Sequence, residues 1–327
     1  MQKVLVTGGT GFIGSNLARA LVEKGLRVRI LRRTESDLRA IGSVQVEHVL
    51  GDVTDRGSLV RAMDGCDTVF HTAAIVSYWR SERERMYGVN IGGTQNVVDA
   101  CLDAGVARLV HTSSIAAIGP TPPGVLADES TAFLWDSYDV GYRISKHRAE
   151  LEVQKGVGRG LSAVIVNPSV VIGPGDIHFH GGQLIRDVYK KRIFYYPEGG
   201  LNIVYVRDVV EAHIAAADRG KSGERYLATG TNLSHRQALE VIAEVVGGIK
   251  PLVKLPAMLA RGIAATAELA GAITKTRPWV TRELIAGIGM NSWFTNEKAV
   301  RELGYTVTPF REAVSRTFDW YRTNNLL

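Results

Sequence analysis

Cysteine is scarce in this sequence, and no long uninterrupted apolar run occurs in it. Only Cys66 and Cys101 are found among 327 residues, without a Cys-x-x-Cys pair, so a disulfide framework is excluded and a reducing, cytoplasmic location is favoured. The most apolar region, 252–274, is interrupted by Arg261 and Glu268, whereas a membrane span needs about 20 mostly apolar residues. We therefore expect no integral membrane segment.

Long runs of one charge sign are also missing, although the formal net charge is +6. The cations occur in short groups, such as Arg32-Arg33 and 190–192, and no nucleic-acid-binding motif accompanies them. Nucleic acid is therefore not expected as a partner, whereas a small-molecule substrate is. Residues 1–6 enter a β-strand pattern directly, so we expect no cleaved signal peptide.

The first half of the chain alternates short β-rich runs with helical stretches. Strands are predicted at 3–7, 27–31, 45–50, 68–72, 108–113 and 162–167, and helices at 14–24, 58–63, 89–104 and 142–155. This alternation is typical of an α/β fold, a Rossmann-type doubly wound parallel sheet with helices on both faces. Ligands of such sheets bind at the carboxyl ends of the strands.

The pattern changes after Asn167-Pro168, where a glycine- and proline-rich stretch at 172–176 marks a boundary. A strand at 202–206 and a helix at 207–217 follow, and from there to residue 289 the pattern is mainly helical. We predict a dinucleotide-binding domain of residues 1–173 and about 200–220. Residues of about 174–199 and 221–327 are predicted to form a smaller, mainly helical, discontinuous substrate domain, with a substrate cleft between the two.

A glycine-rich turn follows the first predicted strand, in the segment Val-Leu-Val-Thr-Gly-Gly-Thr-Gly-Phe-Ile-Gly at 4–14. Gly8 permits the tight turn, Gly11 lets the backbone approach a pyrophosphate, and Gly14 lets the helix pack closely on the strand. The free N–H groups and the dipole of the helix start favour an anion. The turn therefore predicts a dinucleotide site built from Gly8, Thr10, Gly11, Phe12, Ile13 and Gly14.

Residues after the second and third strands bear on which dinucleotide binds. An acidic residue after the second strand would hold the ribose of NAD, but Arg32-Arg33 stand there, and guanidinium groups suit the 2′-phosphate of NADP. NADP(H) is therefore predicted over NAD, the alternative being two surface arginines. After the third strand, Asp52 is predicted to bond the adenine amino group with Val53 against the ring, and a helix cap is the alternative use of Asp52.

Tyr142 and Lys146 lie four residues apart on a predicted helix, and therefore on one face of it. An ammonium beside a phenol lowers the tyrosine pKa from about 10, which helps the phenol to exchange a proton with an alcohol or ketone. The preceding strand ends in Thr112-Ser113-Ser114 at the same sheet edge, where a serine hydroxyl can hold the substrate oxygen. The pattern alone leaves Ser113 and Ser114 both open.

These motifs stand in the order found in the extended short-chain dehydrogenase/reductases. The glycine turn, the Thr-Ser-Ser strand end, Tyr-x-x-x-Lys and Asn167-Pro168 are joined by Val-Tyr-Val-Arg-Asp-Val-Val at 204–210 and Lys-Ala-Val-Arg-Glu-Leu-Gly-Tyr at 298–305. The chain resembles that family, the NAD-dependent epimerase/dehydratase family, over essentially its whole length. Within it, the chain is most similar to the dihydroflavonol-4-reductase-like branch.

The resemblance implies roles for the residues that match the catalytic motifs. Ser114 would orient the substrate oxygen, and Tyr142 would be the acid/base. Lys146 would bind the nicotinamide ribose and tune Tyr142.

It also implies contacts with the cofactor. Thr72, Ala73 and Ala74 would line its adenosine and ribose side, and Pro168 would contact the nicotinamide. Asn90 lies in a helix shared with the family and would support the site structurally, with a direct role left open.

Family members differ in their substrates. Those acting on nucleotide sugars resemble one another in a basic residue before the 204–210 motif and in an Arg-Pro-Gly-Asp segment. This chain has Gly-Gly-Leu-Asn at 199–202 and Gly-Met-Asn-Ser-Trp at 289–293 in those places. A diphosphate needs cationic partners, so an oxidoreductase acting on a small apolar or aromatic carbonyl compound is favoured. Aromatic side chains predicted to line its site are Tyr78, Trp79 and Trp135, with Tyr138, Tyr195 and Tyr196 as further candidates, and core packing is the alternative for each.

Two other functions stay open. A sugar epimerase or dehydratase would use the same residues and keep its NAD(P) bound, and a dinucleotide-sensing protein would bind without catalysis. His178-Phe179-His180 lacks the three or four ligands of a metal site, so a loop over the cleft is predicted and metal is not. The alanine-rich stretch 257–273 is expected to pack in the core or as a lid, with lipid contact as the alternative. A homodimer through helices beside the sheet is compatible with the resemblance.

Overall fold

The computed structural model describes all residues from Met1 to Leu327. Its main element is a parallel sheet of β1 (Lys3–Thr7), β2 (Arg27–Arg32), β3 (Glu47–Leu50), β4 (Thr68–His71), β5 (Arg108–Thr112), β6 (Ala163–Pro168) and β10 (Arg225–Ala228). The strand order is β10-β6-β5-β4-β1-β2-β3. Because the sheet extends from β1 in both directions, the predicted doubly wound α/β fold is confirmed.

Helices cover both faces of this sheet, so its strands are apolar on both sides. Along β1, Val4 and Val6 point into one core cluster and Leu5 into the other, as the two-residue period of a strand requires. The helices α1 (Phe12–Glu23), α7 (Val206–Arg219) and α10 (Glu297–Leu303) supply the first cluster. The second is supplied by α2 (Arg56–Met63), α4 (Gly93–Asp103) and α5 (Gly141–Gly158).

The helix predicted at 89–104 has an irregular start. After α3 (Arg83–Tyr87), the segment Gly88–Gly92 forms a π-helical turn before α4 begins. Such turns are rare in proteins, and those that occur often lie at functional sites. This one carries Asn90, whose side chain is used at the sheet edge.

The smaller part of the molecule contains two further sheets. One is formed by β7 (Val170–Ile172), β9 (Gly200–Tyr205) and β11 (Thr231–Ser234), the other by β8 (Tyr195–Pro197) and β12 (Val253–Leu255). The helices α6 (Gln183–Tyr189), α8 (His235–Val246) and α11 (Phe310–Thr323) pack around a third core cluster with them.

The stretch up to residue 289, expected to be mainly helical, also contains the short strands β10, β11 and β12. Tyr226, Leu227 and Ala228 of β10 are fully buried, and a short run buried on both faces has no alternation to mark it as a strand. β10 pairs with β6, so a segment expected in the smaller domain belongs to the large sheet. The division into two domains otherwise stays a prediction.

The helix α9 (Ala257–Thr274) lies mostly on the surface. It buries only Ala260, Ala264 and Gly271, whereas Met258 and Ile273 are 84% and 75% exposed. The expected core packing of the alanine-rich stretch is therefore confined to a narrow stripe of small residues. None of the helices combines the length and the hydropathy that a membrane crossing requires.

Leu17 of α1 tests the first core cluster, because its side chain is fully buried against the sheet. Leu17→Ala is expected to lower the free energy of unfolding by about 2–5 kcal/mol, since it removes apolar contacts and leaves a cavity. Urea denaturation followed by circular dichroism measures the loss. Leu269→Ala, at a position that is 64% exposed, is the matched control and should change stability by about 0.5 kcal/mol or less. Equal losses in the two variants would contradict the packing of α1.

Candidate active site

The glycine turn after β1 brings three parts of the backbone into contact. Gly8 has φ +68°, and a Cβ on it would lie 2.7 Å from the Ala73 nitrogen at the end of β4. A Cβ on Gly14 would lie 2.2 Å from the Gly8 carbonyl oxygen. Neither position has room for a side chain, so α1 starts directly against the turn and against the end of β4. The first N–H groups of α1 have no partner within the helix and face this edge.

A cavity of about 340 Å³ opens beside the glycine turn. Thr10, Gly11 and Phe12 line it on one side and Arg33 on another. The remaining walls are formed by Glu35, Ser36, Asp37, Ala40, Gly175, Asp176, Ile177, His178 and His180, three of which carry carboxylates. Backbone that excludes side chains, the N-terminus of a 12-residue helix and a nearby guanidinium fit the phosphate end of a dinucleotide.

Asp176 organises the loop that closes this cavity. Its buried carboxylate accepts hydrogen bonds from the backbone N–H groups of His180, Gly181 and Gly182 and from the Tyr321 hydroxyl. The predicted loop over the cleft is therefore held to the C-terminal helix α11. His178 and His180 line the cavity with their rings 5.9 Å apart. No cluster of three or more His, Cys, Asp or Glu side chains is arranged to hold a metal ion.

The two arginines after β2 have different surroundings. Arg32 donates from Nε to His48 Nδ1 at 3.1 Å and from Nη1 to the Arg33 carbonyl oxygen, so its guanidinium lies along β3. Arg33 lines the cavity and contacts Glu35 through Nε at 3.4 Å. Of the pair, Arg33 is the residue that the structure places beside the glycine turn.

Asp52 and Val53 follow β3 near the same edge. The Asp52 carboxylate accepts hydrogen bonds from the backbone N–H and the hydroxyl of Thr54, both at 2.8 Å. These bonds form a turn at the start of the segment that leads into α2. Val53 is buried, and a Cβ on Gly93 would lie 2.8 Å from its Cγ2. Asp52 therefore forms a local turn with Thr54 and does not cap α2, whose N-cap is Asp55 without a side-chain capping bond, and the Val53 side chain packs on α4.

The ends of β4 and β6 complete the edge. Thr72 donates its hydroxyl to the Thr7 carbonyl oxygen at 2.7 Å, beside the glycine turn. Ala73 follows half-buried and Ala74 is exposed. Pro168 is the last residue of β6 and is buried. These positions lie around the edge at which the cofactor contacts were expected.

Tyr142 lies in the first turn of α5, buried against Ala116 and Met86. The Ser114 side chain acts to lower the pKa of the phenol, and its Oγ accepts a hydrogen bond from the Ala116 backbone N–H at 3.1 Å. Ser113 instead donates its hydroxyl to the buried Glu150 carboxylate at 2.5 Å. The structure therefore separates the two serines that the pattern left open, and only Ser114 faces Tyr142.

The electrostatics of the Tyr142–Lys146 pair differ from the sequence-based expectation. Burial raises the pKa of Tyr142, the Tyr78 phenol raises it further, and the opposing effects come from Ser114 and Arg143. The Lys146 ammonium is not among the groups that lower the pKa of Tyr142, and it donates a hydrogen bond to the Thr112 carbonyl oxygen at 2.8 Å. In this state the phenol is therefore held protonated at neutral pH.

Lys146 is itself strongly affected by burial, which lowers its pKa to about 8. The Glu150 carboxylate, one helical turn further along α5, opposes this effect and favours the ammonium. Burial also keeps His71 neutral, with a pKa lowered to about 3. The ammonium thus lies among neutral imidazoles and one buried carboxylate.

Glu150 is the centre of a buried network that the sequence reasoning missed. It accepts from Ser113, from Asn167 Nδ2 at 2.6 Å and from Arg225 Nη1 at 3.1 Å. The network ties α5 to the carboxyl ends of β5 and β6 and to the first residue of β10. The spacing of Tyr142, Lys146 and Glu150 on one helix face could have identified it.

Asn90 joins the loop after β4 to α5. Its side-chain oxygen accepts from the Ile75 backbone N–H at 2.8 Å, and its Nδ2 donates to the Ile75 carbonyl oxygen and to the Ser145 hydroxyl, both at 2.9 Å. These bonds are the structural support expected of it. A direct role of Asn90 stays a prediction.

The predicted aromatic residues divide into two groups. Tyr78 packs edge-to-face on Tyr142, with ring centroids 5.5 Å apart, and Trp79 follows it half-buried. Trp135 is buried and donates Nε1 to the Ile118 carbonyl oxygen at 2.7 Å. It does not form an open wall, because the Arg143 guanidinium covers its ring at 3.7 Å.

Tyr138, which is exposed, packs edge-to-face on Trp135 at 5.0 Å. Tyr195 and Tyr196 lie on β8, where Tyr196 packs against the third core cluster. The position of Tyr196 agrees with core packing, the alternative considered for it, whereas Tyr195 packs edge-to-face on the exposed Phe194. Arg143 was missed as a site residue, although its place next to Tyr142 in the sequence was visible.

Lys146→Met tests the burial of the ammonium. The pKa of Lys146 is about 8 in the folded chain and lies below its ordinary value of 10.5. Between these values the unfolded chain binds more protons, so wild-type stability should rise with pH relative to Lys146→Met. Urea denaturation at several pH values across this window measures the difference. Lys190→Met, at an exposed lysine, is the control, and its difference in unfolding free energy from the wild type should not change across this window. A difference that is likewise independent of pH for Lys146→Met would contradict the burial of the Lys146 ammonium.

Residues 4–228 match the model of the "NAD dependent epimerase/dehydratase family". The chain is 35% identical over 324 residues to a Synechocystis protein provisionally named a dihydroflavonol 4-reductase, which covers 98% of this chain and 94% of that protein. It is 33% identical over 329 residues to sterol demethylase protein B of Methylococcus capsulatus, covering 99% of each.

Two solved structures are similar over nearly their whole length. The structure of gox2253 has a TM-score of 0.87 and 38% identity, covering 99% of both chains. A nucleoside-diphosphate-sugar epimerase from Pseudomonas aeruginosa has a TM-score of 0.83 and 26% identity, covering 99% of this chain and 98% of that one. With these matches along its length, the chain belongs to the NAD dependent epimerase/dehydratase family, the extended short-chain dehydrogenase/reductases, whose members are NAD(P)-dependent enzymes.

Proposed function

We propose that this protein is an NADP(H)-dependent oxidoreductase that interconverts a carbonyl and an alcohol on a small, apolar or aromatic substrate. The observation that carries the proposal is the placement of Tyr142 with Ser114 beside its phenol and Lys146 one helical turn away, all at the edge that holds the glycine turn. The dinucleotide supplies or accepts the hydride when it is bound. Chain residues supply the proton and orient the substrate oxygen.

Tyr142 is in the protonated form that the reductive step uses. Because burial raises the pKa of the phenol, it carries the proton that an oxygen gaining hydride at its carbon must receive. Ser114 is placed to donate a hydrogen bond to the same oxygen. Lys146 would hold ribose hydroxyls of the cofactor and, with the substrate bound, would stabilise the phenolate that remains after proton donation.

The segment before the 204–210 motif, where nucleotide-sugar enzymes have a basic residue, supports the substrate proposal. At this place Gly199 and Gly200 precede the rest of β9, and a Cβ on Gly200 would lie 2.4 Å from Trp293 Nε1. The backbone is therefore packed on an indole, and no cation extends from it. Tyr78 supplies an aromatic surface next to Tyr142. These contacts suit an apolar body better than a diphosphate.

A sugar epimerase is the second candidate, since one of the similar structures is an epimerase with a TM-score of 0.83. It would use Tyr142 and Lys146 in the same way but return the hydride to the opposite face of a transient ketone. Incubation with a panel of carbonyl compounds and NADPH distinguishes the two, because only the reductase consumes NADPH in proportion to product. A cytoplasmic location and a homodimer stay predictions.

Tyr142→Phe removes the proposed proton donor and keeps the ring. It is expected to lower kcat by about 10²- to 10⁴-fold, the usual contribution of general acid catalysis, while NADPH still binds. NADPH oxidation at 340 nm and NADPH fluorescence titration measure the two quantities. Tyr189→Phe, at an exposed tyrosine on α6, is the control and should keep wild-type kcat. Undiminished activity of Tyr142→Phe would overturn the catalytic assignment and favour a dinucleotide-sensing protein.

Arg33→Ala tests the choice of NADP. Loss of a charge-assisted contact to the 2′-phosphate is expected to raise the Kd of NADPH about tenfold to a hundredfold and to leave that of NADH nearly unchanged. Arg32→Ala should have a smaller effect, because Arg32 is engaged with His48. Arg27→Ala, at the opposite end of β2, is the charge-matched control. If the preference of NADPH over NADH survives in the double variant of Arg32 and Arg33, both arginines are dismissed.

A further inference from the structure

The guanidinium of Arg143, the residue after Tyr142 on α5, has no acidic partner. It takes part in no ion pair and no hydrogen bond, and it is only partly exposed. Burial lowers its pKa, and the groups that act in the opposite direction are the phenols of Tyr78 and Tyr142. A guanidinium remains charged under these conditions, so the site holds an uncompensated positive charge next to its phenols.

The guanidinium is held on a rigid platform. Its carbon lies 3.7 Å from the centroid of the buried Trp135 ring, whose Nε1 is fixed to the Ile118 carbonyl oxygen. A Cβ on Gly287 would lie 3.5 Å from Arg143 Nη2, so backbone of the 281–290 segment approaches it as well. Stacking on a ring uses the face of a guanidinium and leaves its in-plane N–H donors free for a ligand.

The position of this charge is unfavourable for folding. Arg143 lies in the first turn of α5, where the helix dipole is positive and favours anions. The carboxylates nearby are already engaged, since Glu283 pairs with Arg83 and accepts from the Gly141 backbone N–H, and Asp139 pairs with Arg80 and Arg83. Apart from its stacking on Trp135, the half-buried guanidinium has no partner within the chain, and an anion supplied by a ligand would compensate its charge.

We propose that Arg143 binds a carboxylate of the substrate, so that the compound reduced by this protein is a carbonyl acid with an apolar or aromatic body. The proposal rests on the proposed function for the reacting carbonyl, which would contact Tyr142, the neighbouring residue. A carboxylate is planar and accepts two parallel hydrogen bonds from one edge of a guanidinium. A neutral substrate would leave the cation unpaired, which gives selectivity against esters and amides of the same shape.

Binding of a matched pair of probes tests the proposal without turnover. Isothermal titration calorimetry compares 3-phenylpropionate with 3-phenylpropionamide on the purified protein, with and without NADPH. We expect the carboxylate to bind the wild type at least about tenfold more tightly, the effect of one charge-assisted pair. Arg143→Leu should bring this ratio close to one, and Arg143→Lys should restore part of it, because a lysine keeps the charge without the planar fork.

The control variant is Arg148→Leu, which removes the same charge from an exposed position of the same helix. It should keep the wild-type ratio. A wild-type ratio near one, absence of measurable carboxylate binding, or a ratio unchanged in Arg143→Leu overturns the proposal. If Arg143→Leu does not fold, as judged by circular dichroism, the wild-type ratio and the Arg143→Lys variant decide.

Turnover separates this proposal from the proposed function. NADPH oxidation is followed with 4-oxo-4-phenylbutanoate and with its methyl ester. Reduction of both compounds at the same kcat/KM supports the oxidoreductase and overturns the role of Arg143. Carboxylate-selective binding that depends on Arg143, without reduction of any carbonyl compound of the panel, overturns the oxidoreductase and leaves Arg143 as an anion-binding residue. A higher kcat/KM for the acid, arising mainly from a lower KM, supports both.

Discussion

The site depends on holding a phenol and an ammonium one helical turn apart in the interior of the protein. Water would solvate both groups and weaken their effect on a ligand, whereas burial raises the pKa of Tyr142 and lowers that of Lys146 to about 8. Both shifts move the groups toward their neutral forms. The Glu150 carboxylate limits the effect on Lys146.

The same burial requires that neighbouring polar groups find partners within the chain. Glu150 accepts from Ser113, Asn167 and Arg225, and these bonds connect α5 to three strand ends. Asn90 connects α5 to the loop after β4 in the same way. The position of the phenol is therefore set by hydrogen bonds to the sheet edge, and that edge also carries the glycine turn. The cavity beside the glycine turn and Tyr142, the proposed acid/base group, therefore lie at the same edge of the sheet.

Charge varies along this edge. At the phosphate end, Arg33 lies beside a helix N-terminus, and both favour an anion. At the centre the buried histidines are neutral, as for His71 with its pKa of about 3. At the far wall Arg83 is neutralised by Glu283, while Arg143 stays unpaired on Trp135. Glu35, Asp37 and Asp176 also line the phosphate-end cavity, so the attraction for an anion there is local, at Arg33 and the start of α1.

The sequence by itself determined the parallel α/β fold, the glycine turn, the Tyr142–Lys146 pair and the family. These follow from local patterns, because strand burial, turn glycines and helix-face spacing are all encoded within about ten residues. The sequence did not separate Ser113 from Ser114, place β10 in the large sheet, or identify Arg143. Those depend on which groups from distant segments meet: Glu150 takes one serine, β6 pairs with β10, and Trp135 stacks on the arginine. Only tertiary packing decided these three points, because contacts between residues far apart in the sequence determine which partner each group has and how its pKa shifts.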